Sequence, residues 1–244
     1  MTLEVLLTLT AGVFVVALLY SSVGHAGASG YIAVMTLLGL APAFIKPAAL
    51  ALNVLVAAVA FTQFARAGHF RWALFWPFAL LAPPMSFLGG WLQLPAQVFQ
   101  TLIGVVLLYS AAQLFLRPQA VDQPSAPPKA LALGVGALLG LLSGLTGTGG
   151  GIFLTPLLLL AGWSAPKHAA AVSALFIMLN SAAGLAGHLA STQEMPKMLW
   201  PLLAAAATGG AIGSTLGSRR FDPLLIRRLL AVVLVVAGLK LLAT

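Results

Sequence analysis

The chain has 244 residues, of which 61% are hydrophobic and only 7% charged, with a mean hydropathy of +1.05 and a net charge of +8. Soluble domains carry roughly 25% charged residues, so the composition excludes a soluble enzyme or binding module and predicts a polytopic membrane protein without a separate soluble domain. The absence of cysteine excludes disulfides and thiolate metal sites, and the 12 basic residues are scattered among short loops without forming a nucleic-acid patch.

Apolar segments fall at 3–22, 28–41, 47–65, 72–92 and 97–116, then at 130–145, 151–162, 168–190, 198–217 and 223–243. The N-terminus has no basic n-region, carries Glu4 and leads into a long apolar run, so the first segment is expected to be retained as a membrane helix, not cleaved. Residues 117–129, Arg117-Pro118-Gln119-Ala120-Val121-Asp122-Gln123-Pro124-Ser125-Ala126-Pro127-Pro128-Lys129, form the one polar, proline-rich stretch and read as an extended linker. It divides the chain into a first membrane repeat, 1–116, and a second, 130–244.

The halves align with small shifts. Gly30 pairs with Gly151 and Lys46 with Lys167, 121 apart; Trp76-Pro77 pairs with Trp200-Pro201 and Gly89 with Gly213, 124 apart; Pro95 pairs with Pro223, 128 apart. Five ordered matches argue for an internal repeat. In each half the second segment is too short to span comfortably and reads as a re-entrant or broken helix. The expected fold is all-α, with two inverted-topology repeats of about four transmembrane helices plus one glycine-rich broken helix each. Eight spans with two hairpins and ten full segments both fit. Arg66, Arg71, Arg117, Lys129, Lys167, Arg219, Arg220, Arg227 and Arg228 fall on one side of the membrane, against Lys46, Lys197 and Lys240 on the other. By the positive-inside rule this places the linker in the cytoplasm and both termini outside it, in a multi-pass protein of the cell (inner) membrane.

Two uncharged, glycine-rich breaks interrupt the apolar runs: Ser21-Ser22-Val23-Gly24-His25-Ala26-Gly27-Ala28-Ser29-Gly30, and Ser143-Gly144-Leu145-Thr146-Gly147-Thr148-Gly149-Gly150-Gly151. Glycine lets backbone N–H groups approach a ligand, and a helix starting just after a break points its positive end there. The breaks are therefore read as an oxyanion site, with N–H groups of Gly24, Gly27 and Gly30 and of Gly147, Gly149, Gly150 and Gly151, helped by the hydroxyls of Ser22, Ser29, Thr146 and Thr148. Close helix packing through small residues is the competing reading of such glycines. It is preferred for Gly136, Gly140 and Gly144 and for Gly209, Gly213 and Gly217, which recur every four residues.

Asn53 and Asn180 lie within the third segments, either facing the cavity or cross-linking helices. Gln63 is read as structural. Lys46 and Lys167 are read as interfacial, with a second reading in which they draw anions to the two mouths. His25, inside a break, is a candidate to titrate during transport, while His69, His168 and His188 read as interfacial. All four carboxylates lie in loops or near segment ends, which leaves no acidic proton relay. No metal or other cofactor is expected.

Tyr20-Ser21-Ser22-Val23-Gly24-His25-Ala26-Gly27-Ala28-Ser29-Gly30-Tyr31, with Gly144-Leu145-Thr146-Gly147-Thr148-Gly149-Gly150-Gly151 and the duplicated layout, resembles the TauE/SafE sulfite-exporter family over nearly the full length. The resemblance implies a secondary transporter moving small sulfur oxyanions or organosulfonates, such as sulfite, taurine-derived sulfonates or sulfoacetate, usually outward. The second half departs from the first in having no histidine at the position of His25. A carrier or uptake system for another small anion is the alternative. Gly27-Ala28-Ser29-Gly30 is also similar to the serine motif of rhomboid intramembrane proteases, with Gly187-His188 as the source of a base, a remote alternative. A small anion and the lipid bilayer are the expected partners, nucleic acid is not, and a homodimer is left open.

Overall fold

The computed structural model describes residues 3–92, 124–192 and 199–243, with positions 108, 109, 111, 112, 115 and 196. Most of the expected segment 97–116 and of the linker falls outside the described residues, as do Pro95, Arg117, Asp122, Glu194 and Lys197. Every described element is helical. α1 spans Leu3–Ser21, α2 Ala28–Leu37, α3 Pro42–Arg66, α4 Trp72–Ala79 and α5 Ala82–Trp91. After the linker come α6 Lys129–Thr146, α7 Gly151–Leu160, α8 Pro166–Thr192, α9 Trp200–Thr215, a π-helix Leu216–Arg220, and α10 Pro223–Ala243.

Five stretches are long and apolar enough to cross a membrane: Leu3–Ser21, Ala43–Arg66, Trp72–Trp91, Lys129–Thr146 and Pro166–Ser191. The protein is a polytopic, all-helical membrane protein. α2 and α7 have 10 residues each. At 1.5 Å per residue that is about 15 Å, half of a hydrocarbon core of roughly 30 Å. They are therefore too short to cross it, as their length in sequence led us to expect. The single segment read at 72–92 divides at Leu80–Leu81 because Pro83 and Pro84 supply no N–H groups to the ladder, so α5 must start afresh there.

The helices pair across the linker. α1 packs on α9, α5 on α6, and the two longest, α3 and α8, lie against each other at the centre. Small residues set the closest approaches, as the sequence predicts. A Cβ on Gly136, Gly140 or Gly144 would land on the carbonyls of Phe78, Ala82 and Ser86, and one on Gly209, Gly213 or Gly217 on those of Phe14, Leu18 and Ser22. Both sides of each seam thus advance by four residues, the condition for two backbones to run in contact. The outward faces carry exposed leucine and valine, such as Leu3, Leu7 and Val15 on α1 and Val232, Val236 and Leu239 on α10, a surface suited to lipid.

Candidate functional site

Both glycine breaks are buried in the middle of this assembly. The chain leaves α1 at Ser21 and turns through Gly24 (φ 79°) and Gly27 (φ 103°), the latter capping α2. It leaves α6 at Thr146 and turns through Gly147 (φ 74°) and Gly150 (φ 78°), the latter capping α7. A Cβ at these left-handed positions would strain the backbone, which is why glycine stands at the two caps. The geometry corrects the register read from Gly30 and Gly151. Gly24 and Gly27 are answered 123 positions later by Gly147 and Gly150, whereas Gly30 lies inside α2, packed on Val16 and Tyr20.

Each break leans on the long helix of the other half. Gly24 abuts Ala170 of α8, and Gly147 abuts Lys46 of α3, with 3.3 Å from a Cβ there to Lys46 Cγ. Lys46 and Lys167 are therefore not equivalent. The Lys46 stem packs on the second break, whereas Lys167 Nζ donates to the Ser218 carbonyl of the π-helix at 3.4 Å.

The N–H groups of Ala26, Gly27, Ala28 and Gly30 in the first break, and of Thr148, Gly149, Gly150, Gly151 and Ile152 in the second, donate to no other described residue. All nine residues are buried. A helix start always has unpaired N–H groups, but burying it without a capping side chain is costly unless water or a ligand takes their place. Neither α2 nor α7 has a side-chain cap.

The hydroxyls play a different part from the one expected of them. Ser22 donates to Leu19 O at 2.6 Å and Thr146 to Leu142 O at 2.7 Å. With the Thr146 proton committed, Thr148 donates to Thr146 Oγ1 at 2.8 Å. Ser29 donates to the Tyr20 hydroxyl at 3.1 Å. All four protons are spent inside the protein, so these hydroxyls have none left to donate to an anion. One hydroxyl that the sequence reading missed stays available: Tyr20 accepts from Ser29, and its own proton has no acceptor among the described residues. The bond from Ser29 to a tyrosine is also not the hydroxyl-to-imidazole contact that the protease alternative requires.

Further buried polar atoms gather around the breaks. His25 Nε2 lies 2.7 Å from Thr155 Oγ1 of α7, and Thr155 donates to Ser173 Oγ of α8 at 2.7 Å, while His25 Nδ1 has no partner. Asn53 Nδ2 donates to Ser181 Oγ at 3.3 Å and lies 2.8 Å from where a Cβ on Gly149 would be, while its Oδ1 is unpartnered. Asn53 thus both cross-links α3 to α8 and borders the second break. Asn180 is fully buried with neither side-chain atom bonded, and Ser86 donates to its backbone carbonyl at 2.7 Å. Ser143 Oγ, one turn before Gly147, is unpartnered too. Among the described residues no cluster of His, Asp or Glu could hold a metal ion.

Tyr20 from α1 and His25, Ala26, Gly27, Ala28 and Ser29 from the first break and α2 share one cavity with Thr148, Ile152 and Ile177 from the second break, α7 and α8. It offers water-sized spheres about 10 Å³, roughly what one water requires. The two interruptions thus meet in a common chamber.

The chain matches the family described as Sulfite exporter TauE/SafE over residues 9–241. It belongs to that family. It is 46% identical over 235 residues to a probable membrane transporter protein, y4hK, of Sinorhizobium fredii, a match covering 94% of this chain and 95% of the relative. No solved structure matches. As a TauE/SafE protein the chain is a multi-pass membrane transporter, and both glycine breaks lie within its family match.

Outside the cavity, the TauE/SafE chain carries a second polar cluster where α8 begins. His168 Nδ1 lies 2.7 Å from the His69 carbonyl, the two rings meet edge to face at 5.7 Å, and His69 Nε2 shares the Ser218 carbonyl with Lys167 at 3.1 Å. Burial, offset in part by the bond to Ser218, and the neighbouring Lys167 and His168 charges hold His69 below the usual imidazole range. His188, near the other end of α8, is buried.

Proposed function

We propose that this protein is a secondary carrier that moves a small sulfur oxyanion, sulfite or a two-carbon sulfonate, out of the cell, binding it between the glycine breaks and exposing it alternately to each side of the inner membrane. The observation that carries this reading is the pair of uncapped, buried helix starts lining one cavity. Each helix terminus contributes about 0.3–1 kcal/mol toward an anion when exposed and up to about 2 when partly buried. Two such ends supply at most about 4 kcal/mol, a dissociation constant near the millimolar range. That affinity suits a carrier, which must release what it binds.

Charge points the same way. The net charge is +8, and the described carboxylates, Glu4 and Asp222, are both exposed at helix starts. The family description supplies sulfite as the first cargo to test. The present cavity is too small for sulfite, so the anion enters as the halves rock apart. Alternating exposure follows from an inverted repeat in which 1–116 and 130–244 enter the membrane from opposite faces. The corresponding order of long helix, break and ten-residue helix in each half supports that arrangement.

Counterflow of radiolabelled sulfite, methanesulfonate and sulfoacetate in proteoliposomes tests the proposal. Saturable exchange of at least one of these, with chloride unable to compete, is expected. Exchange of none, in liposomes shown to hold folded protein, overturns it.

A further inference from the structure

His25 crosses between the halves. It belongs to the first break, yet its one bonded ring nitrogen meets Thr155 of α7, 130 residues later. The direction of the next bond settles the roles. Thr155 Oγ1 gives its own proton to Ser173 Oγ at 2.7 Å, so it can only accept from His25, and Nε2 must carry the ring hydrogen. The lone pair therefore sits on Nδ1, which is buried and unpartnered in a residue that lines the cavity. An unshared nitrogen lone pair is thus held beside the bare amides, in a chain whose carboxylates all lie in loops or near segment ends.

The other groups around it leave it alone in this role. α1 contributes Tyr20, whose hydroxyl accepts from Ser29, and α2 contributes Tyr31, which donates to the Ala26 carbonyl at 2.6 Å. α7 and α8 contribute the non-titrating Thr155 and Ser173. Lys46 packs by its stem on Gly147 of the second break. No carboxylate faces the ring from any described element.

We propose that His25 carries one proton per transport cycle on Nδ1, taken up with the anion from the side where it enters and given to water where it leaves, with Thr155 and Ser173 as positioning residues that fix the ring. This rests on the reading that the cavity holds an anion. Protonation gives Nδ1 an N–H to donate and places a positive charge beside the negative cargo, so the loaded site crosses nearer to neutrality. That lowers the electrostatic cost of moving an anion through a low-dielectric interior. The proton and the anion then travel together.

The experiment measures, in proteoliposomes, the pH gradient that brings net sulfite flux to zero at fixed membrane potential. This yields the number of protons moved per sulfite, independent of turnover rate. Comparison with His25→Gln cancels protons carried on sulfite itself. The wild type is expected to move one more proton per anion than His25→Gln. Equal ratios overturn the coupling while leaving the anion reading intact, and absence of sulfite exchange in the wild type overturns both. Thr155→Val, which keeps the side-chain shape but removes the acceptor, is expected to shift the pH dependence of exchange, and Thr155→Ser to restore it. A Thr155→Val profile superimposable on the wild type also overturns the proposal.

Discussion

His25 and Thr155 are joined at 2.7 Å inside the protein, so the first glycine break is bonded directly to the short helix that follows the second. Neither element can be displaced without breaking a buried hydrogen bond or carrying the other with it. An unpaired buried donor costs about 1–3 kcal/mol, which makes this bond a real constraint on how the two halves separate.

The glycines of the second break can be tested against a matched control. Gly149 (φ 78°) and Gly39 (φ 71°) share a left-handed backbone, so alanine strains each by about 1–2 kcal/mol. A Cβ on Gly149 would also meet Ile177 Cγ2 and Ser181 Oγ at 2.7 Å, whereas one on Gly39 meets nothing within 4 Å. We expect Gly149→Ala to reduce sulfite exchange by tenfold or more (about 1.4 kcal/mol or above) and Gly39→Ala to leave it near the wild-type rate. Thermal unfolding in detergent should show the strain in both.

Tyr20→Phe removes the hydroxyl proton left over for a ligand and takes away Ser29's acceptor. A hydrogen bond to a charged group contributes about 1.5–3 kcal/mol, so half-saturation for sulfite should rise by about tenfold to a hundredfold. Counterflow against sulfite concentration checks this. An unchanged half-saturation would remove Tyr20 from the site.

The cluster on Ser218 predicts a pH effect on stability. His69 is held below its ordinary value, chiefly by burial, so the unfolded chain binds more protons than the folded one between the two values. Stability should be fully present above about pH 6.5, the unfolded histidine value, and be lost as pH falls from there through the folded value. Melting temperatures in detergent from about pH 8 to about pH 5.5 should fall on the acid side, and less steeply in His69→Gln.

Topology is open to direct measurement. A periplasmic alkaline phosphatase reporter is expected to be active when fused to either terminus, and a fluorescent protein inserted within 117–129 to be bright. A phosphatase fusion inactive at the N-terminus would reverse the orientation drawn from nine basic residues against three.

Much of the architecture was written in local composition. Gly136, Gly140 and Gly144 signalled a seam by spacing alone, and Pro83 and Pro84 mark where the 72–92 segment breaks. The short lengths of α2 and α7 followed from glycine on one side and loop residues on the other. What sequence could not supply was pairing between helices. Thr155, Ser173 and Ser181 are single polar residues in apolar helices, and their partners lie 130, 18 and 128 positions away. The partners of Ser22, Ser29, Thr146 and Thr148 were not legible for a related reason. Whether a hydroxyl has a proton to spare depends on which acceptor the fold brings to it: for Ser22 and Thr146 it is the carbonyl three or four residues back, for Ser29 and Thr148 another hydroxyl. Register failed too, because Gly30 and Gly151 look alike in a string of letters while only Gly27 and Gly150 share a left-handed cap.

The central chamber has room for about one water molecule. Any guest larger than that must first part the walls, so the bonds that tie the walls together, His25 to Thr155 among them, bear directly on how readily the protein loads.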